Sequence, residues 1–182
     1  MSRESATAPA HRQRQAFDTR ATAGFLIRRL QQIVTSIFYE QIRGHDITVC
    51  QYAALWGVDG SPGIDQLRLG RSVSLDRSTI GTAVEGLRKR GLIVSRISTS
   101  DRRYKNIYIT AKGRRLLDDM EPLVRGVQEK LLGPLARTER SHFMHLLIKV
   151  VAADSGLSRV PADRPVIGMA RTARQRRVAK RR

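Results

Sequence analysis

The sequence predicts a mainly α-helical fold that carries one small β-hairpin. Apolar residues recur at helical spacing in several segments between residues 19 and 155, which predicts a set of packed helices. Two short β-prone runs, 91–97 and 106–110, flank the charged segment Asp101-Arg102-Arg103-Tyr104-Lys105, which predicts a hairpin with a basic tip. The chain has 182 residues, 41% of them apolar, so it can bury one core, and we expect one folded domain.

The first predicted helix spans about residues 19–43. Its apolar residues are Phe25, Leu26, Leu30, Ile33, Ile37, Phe38 and Ile42, and Gly44 ends the pattern. This helix is too long and too apolar on one side to lie alone on a surface. We therefore expect a partner for it, either another part of the same fold or a second subunit.

Two shorter helices follow. Thr48 and Gln51 fit a capping box, which predicts the start of a second helix that continues to Val58. The segment 59–63 is rich in turn-forming residues and is expected to be a turn. A third helix is predicted over about 64–73.

A fourth helix is predicted after the tight link at 74–75. Asp76 can cap its N-terminus, and an inward face with helical spacing follows at Ile80, Val84 and Leu87. The segment 88–91, three cations followed by glycine, is typical of a helix C-terminus. Helices three and four form a helix-turn-helix pattern, and the basic hairpin behind them makes it a winged helix-turn-helix.

Two long helices are predicted after the hairpin. Thr110 can cap a helix over about 111–132 that contains Pro122, and Gly133-Pro134 ends it. Thr138-Glu139 is expected to open a last helix that reaches about residue 153. Its expected inward residues are Phe143, Leu146, Leu147 and Val150.

Charge is spread unevenly along the chain. Lys and Arg number 34 against 16 Asp and Glu, a formal net charge of +18. Residues 156–182 alone carry about +8, and neither they nor residues 1–18 show an apolar period, so we expect both ends to be disordered. A positive field of this size favours binding to polyanions, with a steep dependence on salt. For the tail, a purely solubilising role is the alternative.

Several other classes of protein find no support in the sequence. Cys50 is the only cysteine, which excludes an internal disulfide and favours a reducing cytoplasm. The sequence shows neither an apolar run long enough to span a membrane nor a secretion signal, so we expect a cytoplasmic protein without membrane association. The motifs of phosphate loops, nucleophile elbows and metal hydrolases are absent, so we expect neither an enzyme nor a cofactor. His142 and His145 could share a metal ion, but no cysteine near them completes a site.

Several motifs in this order resemble the MarR family of bacterial transcription regulators. They are Asp76-Arg77-Ser78-Thr79-Ile80, Arg90-Gly91-Leu92-Ile93, Asp101-Arg102-Arg103 and Ile109-Thr110-Ala111-Lys112-Gly113, within a match over roughly residues 20–155. The resemblance implies a symmetric homodimer, built by helices at about 19–43 and 111–154, and a DNA-binding lobe at about 47–110. It also implies a regulator whose partner is double-stranded DNA with a palindromic operator.

The resemblance assigns DNA-reading residues to the fourth helix. This helix would enter the major groove, where all four base pairs differ. Its outward residues are Arg77, Ser78, Thr79 and Thr82. Arg77 is the candidate for a guanine contact, and Arg88 and Lys89 at the other end would bind phosphates.

The resemblance also assigns roles within the hairpin tip, the wing. The family pattern is Asp, any residue, Arg, which would pair Asp101 with Arg103. Arg103 would then enter the minor groove, where narrow A·T tracts attract arginine. Arg102 and Lys105 would hold the flanking phosphates.

In this family, DNA release is often coupled to a small aromatic acid bound between the dimerisation helices and the DNA-binding lobe. The candidate ligand-binding residues are Arg28, Phe38, Tyr39, His45, Tyr52 and Trp56. A mostly apolar pocket with one or two polar anchors suits such a ligand, and Arg28, Arg43 or His45 could meet its carboxylate. Core packing is the alternative for each aromatic residue.

Three segments, 49–55, 62–66 and 76–81, indicate a particular branch of the MarR family. They are similar to a MarR branch that represses the catabolism of aromatic and N-heteroaromatic acids, including hydroxynicotinate-type effectors. We therefore expect a repressor that a small aromatic carboxylate releases from its operator. The alternatives are a ligand-independent or architectural DNA-binding protein and a regulator that responds through the Cys50 thiol.

Overall fold

The computed structural model describes residues 19–97 and 105–153. A short 3-10 turn at Thr19–Ala21 precedes six helices and three strands. In chain order these are α1 (Ala23–Gln41), α2 (Val49–Gly60), β1 (Ile64–Asp65), α3 (Gln66–Ser72), α4 (Arg77–Lys89), β2 (Ile93–Ile97), β3 (Lys105–Ile109), α5 (Ala111–Leu132) and α6 (Arg137–Ala153). The prediction of a mainly α-helical fold with a small β-hairpin is confirmed. The expectations for segments 1–18 and 156–182 lie outside the described residues.

Side-chain caps fix the starts of α2 and α5, and a glycine marks the end of α4. The capping box of α2 is confirmed, since the hydroxyl of Thr48 accepts from the Gln51 N–H and the Gln51 side chain accepts from the Thr48 N–H. Thr110 caps α5 by accepting from the Gly113 N–H, as predicted. The predicted end of α4 is also confirmed, because Gly91 adopts a left-handed conformation with φ of 68° just beyond it.

Three predicted boundaries were wrong. The first helix begins at Ala23 rather than at residue 19, because the side chain of Thr22 accepts from the Phe25 N–H and caps it there. Residues 59–60 close α2 instead of forming part of the turn. The last helix begins at Arg137, and the Glu139 carboxylate accepts from the backbone N–H just before it.

The start of the third helix was also predicted wrongly. Ile64–Asp65 form β1, and α3 begins only at Gln66, because the Asp65 carboxylate caps it by accepting from the Arg68 N–H. β1 pairs antiparallel with β3, which lies in the centre of the sheet order β1-β3-β2. The sheet therefore joins the wing hairpin to the turn that precedes α3.

The core lies where α2, α4 and the hairpin meet, and it extends between α1 and α5. Its most completely buried large side chains are Leu55, Val58, Leu69, Ile80, Leu87, Leu92, Ile93, Ile107 and Met120. The predicted inward residues of α4 are all buried. This core packs α3 against α4, as the helix-turn-helix pattern predicts.

The last helix differs from its prediction in burial. Leu146 and Val150, which were expected to point inward, are 48% and 56% exposed in the single chain. Phe143 and Leu147 are half-buried, and α6 buries no residue completely. The N-terminal half of α1 is similar, with Leu26 and Ile27 each more than half exposed. Within residues 19–97 and 105–153, no helix has the length and apolarity needed to cross a membrane.

Candidate nucleic-acid interface and effector cavity

The N-terminal turn of α4 presents a fixed set of polar side chains. The Asp76 carboxylate accepts from the Thr79 N–H at 2.9 Å and from the Thr79 hydroxyl at 2.7 Å. These bonds lower the pKa of Asp76 below its ordinary value. Thr79 thus has a structural role in capping the helix, while Arg77 and Ser78 are exposed. Thr82 is exposed one turn further on, and its hydroxyl donates to the Ser78 carbonyl at 3.2 Å.

The C-terminal turn of α4 carries cations that share a carboxylate. Arg88 donates to the Glu85 carboxylate through Nε at 2.9 Å and through Nη2 at 2.8 Å. This pairing raises the pKa of Arg88 and lowers that of Glu85. Lys89 lies 3.8 Å from the same carboxylate. Both cations are exposed, so they can reach phosphates, but Glu85 competes with any phosphate for Arg88.

Of the wing, the structure describes the two strands, β2 and β3, but not residues 98–104 between them. Lys105 pairs with Ile97 at the end of the ladder nearest the tip, and its side chain is exposed. Asp101, Arg102 and Arg103 lie outside the described residues, so their assigned roles remain predictions from the sequence. The ladder itself confirms the hairpin and fixes which residues share each of its faces.

The sequence reasoning missed three exposed cations in this lobe. Arg68 and Arg71 lie on α3, and Arg96 lies on β2. Arg68 is 3.4 Å from the Asp65 carboxylate, whereas the Arg96 guanidinium lies over the ring of Tyr108. The β-alternation of the hairpin could have placed Arg96 on the face opposite the core.

A cavity of about 280 Å³ lies between α1, α2 and α5. Its lining residues are Gln31, Val34, Thr35, Phe38, Val49, Tyr52, Ala53, Trp56, Val124, Val127 and Gln128. Phe38, Tyr52 and Trp56, three of the six candidate ligand-binding residues, are among them. Arg28, Tyr39 and His45 are not. The α5 residues could not be predicted from spacing within one helix, because only the docking of α5 brings them next to α1 and α2.

The cavity is apolar with a few polar groups at its edge. The Phe38 and Tyr52 rings lie with centroids 5.9 Å apart and form one wall. Burial, and next the charge of Glu121, raise the pKa of Tyr52, so its phenol stays neutral and can donate a hydrogen bond. Trp56 is 51% exposed and lies at the opening. Such a lining suits a small planar molecule with one polar end.

The described residues form no defined site for a thiol response or for a metal ion. Cys50 is half-buried near the start of α2 and packs against the core. His142 and His145 are exposed on α6. Within residues 19–97 and 105–153, no group of three or more potential ligands could hold a metal ion.

Comparisons with known proteins agree with this architecture. The profile of the MarR family matches residues 47–105. The HTH-type transcriptional repressor NicR of Pseudomonas putida is 30% identical over 138 residues, which cover 76% of this chain and 87% of NicR. The crystal structure of the PcaV transcriptional regulator of Streptomyces coelicolor in complex with its natural ligand is 33% identical, with a TM-score of 0.70, and the match covers 76% of this chain and 97% of PcaV.

A third comparison concerns a relative solved on DNA. The transcriptional repressor CouR, bound to a 23-mer DNA duplex, is 27% identical with a TM-score of 0.67, and the match covers 71% of this chain and 92% of CouR. These proteins are regulators of transcription and not enzymes. Together with the winged helix-turn-helix and the family match over the same lobe, they establish that this chain belongs to the MarR family of transcriptional regulators.

Proposed function

We propose that this chain is a homodimeric repressor that binds a palindromic operator and releases it when a small aromatic carboxylate enters the cavity. The observation that carries the proposal is the position of α2. This helix contributes Tyr52, Ala53 and Trp56 to the cavity, and it packs against α4 and β3 with its buried side. A ligand that shifts α2 therefore displaces the helix and the strand that face DNA.

The DNA-binding role rests on the charged, exposed residues of α4 and the wing. Arg77 at the start of α4 is the proposed base-reading residue, with Ser78 and Thr82 beside it. Arg103 at the wing tip is the proposed minor-groove residue, and Arg102, Lys105, Arg88 and Lys89 are the proposed phosphate contacts. The name of CouR, a repressor bound to a DNA duplex, supports this reading by family relation.

The homodimer is supported by apolar surface on helices outside the DNA-binding lobe. Among the large apolar residues exposed on α1 are Phe25, Leu26, Ile27 and Ile33, and on α6 they are Met144, Leu146, Val150 and Val151. Clusters of exposed apolar residues larger than a soluble monomer usually carries mark interfaces. A two-fold dimer presents two copies of α4 to DNA, which is why a palindromic operator is expected.

The proposed effector follows from the walls and the edge of the cavity. An aromatic ring fits against Phe38 and Tyr52, and a hydroxyl or ring nitrogen can bond with Gln31, Thr35 or Gln128. Arg28 lies one turn before Gln31 on α1, and its long side chain can reach the opening to meet a carboxylate. Tyr39 and His45 do not line the cavity, although the Tyr39 ring packs edge-on against Phe38 with the two centroids 5.7 Å apart. A hydroxynicotinate-like acid has this shape and charge.

Operator binding is tested by selecting duplexes from a random pool with the full chain and footprinting the selected sequence. A discrete palindromic footprint that persists at moderate salt supports the proposal. Arg77→Ala should reduce discrimination between the selected and scrambled sites, since base contacts carry specificity, and Arg103→Ala should sharply weaken binding. Uniform coating of all duplexes would favour an architectural protein instead.

The effector proposal is tested with Trp56, the single tryptophan of the chain. Titration with aromatic carboxylates, hydroxynicotinates included, should change its fluorescence and release the operator over the same concentration range. Arg28→Ala should weaken both effects about tenfold or more by removing the proposed carboxylate partner. Arg29→Ala, at the next position of α1, is the control. Operator release without any change at Trp56 would place the effector elsewhere.

A further inference from the structure

Arg96 and Tyr108 form a cation–π pair on the outer face of the wing. The guanidinium carbon of Arg96 lies 5.3 Å from the centroid of the Tyr108 ring. The ladder pairs Val94 with Tyr108 and Arg96 with Asn106, so Arg96 and Tyr108 are diagonal neighbours on adjacent strands. They lie on the face opposite buried Ile107.

Tyr108 is itself held against the turn that precedes α3. A β-carbon at Gly63 would lie 3.1 Å from the Tyr108 hydroxyl oxygen, so the phenol packs closely on a residue without a side chain. Gly63 also has φ of 84°, which favours glycine, and its N–H donates to the Ile107 carbonyl at 2.9 Å. The ring under Arg96 is therefore fixed to the turn between α2 and β1 and not only to the wing.

Arg96 lies on the wing, beside the tip that is proposed to contact DNA. It is exposed and lies one position before the last ladder pair, Ile97 with Lys105, on the way to the wing tip. A guanidinium that stacks on an aromatic face keeps its in-plane N–H groups available for phosphate. Stacking also restricts a side chain that would otherwise lose more conformational freedom on binding.

We propose that Arg96 is a phosphate-binding residue of the wing and that Tyr108 is the positioning residue that orients it. This inference rests on the proposed operator binding. Arg96 supplies a contact that adds affinity for any duplex without reading sequence, because phosphates carry no base information. Tyr108 acts through Arg96, and its contact with Gly63 ties that orientation to the turn between α2 and β1.

The test measures the affinity of the full chain for the operator duplex, selected as above, across a salt series. Arg96→Ala should weaken binding about tenfold at low salt. It should also make the slope of log K against log salt shallower by roughly 0.9, the loss of one phosphate contact. The loss should be equal for a scrambled duplex. Arg125→Ala, an exposed arginine that pairs with Glu121 on α5, is the control and should leave the slope unchanged.

Variants of Tyr108 separate orientation from folding. Tyr108→Phe keeps the ring and should bind like the wild type, whereas Tyr108→Leu keeps apolar bulk without the ring and should lose roughly threefold. In the Arg96→Ala background, Tyr108→Leu should cost nothing further, because its effect passes through Arg96. Thermal melting of each variant reports its folding, which Arg96→Ala should leave unchanged.

Three outcomes would contradict the inference. An unchanged salt slope in Arg96→Ala, with the wild type binding its operator, would overturn the phosphate role alone and leave the proposed function standing. Additive losses in the Arg96→Ala, Tyr108→Leu double variant would overturn the positioning role. Failure of the wild-type chain to bind any selected duplex would overturn the proposed function and this inference together.

Discussion

The ammonium group of Lys130 on α5 lies 2.7 Å from both carboxylate oxygens of Glu40 on α1. The two residues are 90 positions apart in sequence, so the pair joins the two helices that also form two walls of the cavity. The hydrogen bond from Lys130, followed by its charge, lowers the pKa of Glu40. Both side chains are about half exposed, so solvent screens the pair and its contribution to stability is small.

We expect Glu40→Gln to lower the melting temperature by about 1–2 °C at neutral pH. A lowered carboxyl pKa stabilises the folded state at pH values above the unfolded pKa, and this contribution disappears as the pH falls through the folded pKa. The difference between wild type and variant should therefore shrink below pH 4.5, the ordinary value for glutamate. Glu129→Gln on α5, at the position next to Lys130, is the control. A difference that stays constant from pH 7 to pH 3 would contradict the ion-pair explanation.

Gly113 in the first turn of α5 packs against the segment that follows α4. A β-carbon there would overlap the Leu92 carbonyl oxygen and would lie 2.9 Å from Ile109 Cγ1. Because the Leu92 oxygen is backbone, it has little freedom to yield, and we expect Gly113→Ala to reduce the free energy of unfolding by about 3 kcal/mol. Guanidinium denaturation measures this loss.

The control for Gly113→Ala is Gly24→Ala, in the first turn of α1, where an added β-carbon would meet no atom within 4 Å. It should leave stability unchanged or raise it by up to about 1 kcal/mol, since alanine loses less backbone entropy than glycine. Equal effects of the two substitutions would mean that backbone freedom, and not the close contact at Leu92, decides the outcome.

The parts of the fold that sequence predicts well are those that depend on near neighbours. Thr48, Asp76 and Thr110 each bond to a backbone N–H three residues ahead, so their caps are encoded in a few adjacent positions. Ile64 shows the opposite case. Its strand conformation depends on Ile107, its partner in β3, and no local pattern near residue 64 reports that pairing.

The candidate site also has a part that can be predicted from local sequence and a part that cannot. Helical spacing places Arg77 and Ser78 on the exposed start of α4, because that surface belongs to one helix. The cavity instead depends on how α5 docks, which brings Val124, Val127 and Gln128 opposite Phe38. Leu146 and Val150 illustrate another limit of prediction from sequence. An apolar period predicts that one face of a helix is covered, but it does not identify the partner that covers it.

Asp76 should control both the stability and the DNA affinity of α4. Asp76→Ala removes the acceptor for the Thr79 N–H and hydroxyl. Because the helix loses its N-cap, we expect the melting temperature to fall by a few degrees. We also expect weaker operator binding, because Arg77 and Ser78 lie in the turn that the cap holds. Asp76→Asn keeps a capping oxygen and should retain most of both properties. The deficit of the alanine variant should narrow below pH 3.8, because the lowered pKa of Asp76 stabilises the fold only while the carboxyl is ionised. Equal losses in the two variants would assign the effect to charge and not to the cap.

The pairing of Glu85 with Arg88 should reduce the affinity of α4 for DNA. Glu85 lies 2.8 Å from Arg88 and 3.8 Å from Lys89, so its negative charge offsets part of the attraction between these cations and a phosphate. We expect Glu85→Gln to tighten binding to operator and scrambled duplexes alike by roughly tenfold. The slope of log K against log salt should become steeper by roughly one unit for each phosphate contact that Arg88 and Lys89 gain. The matched control is Glu121→Gln, which removes the same charge from the Arg125 pair on α5. If Glu85→Gln leaves the slope unchanged while Arg103→Ala weakens binding, Arg88 and Lys89 do not contact phosphate, and the backbone contacts of the lobe must be sought on α3 and the wing.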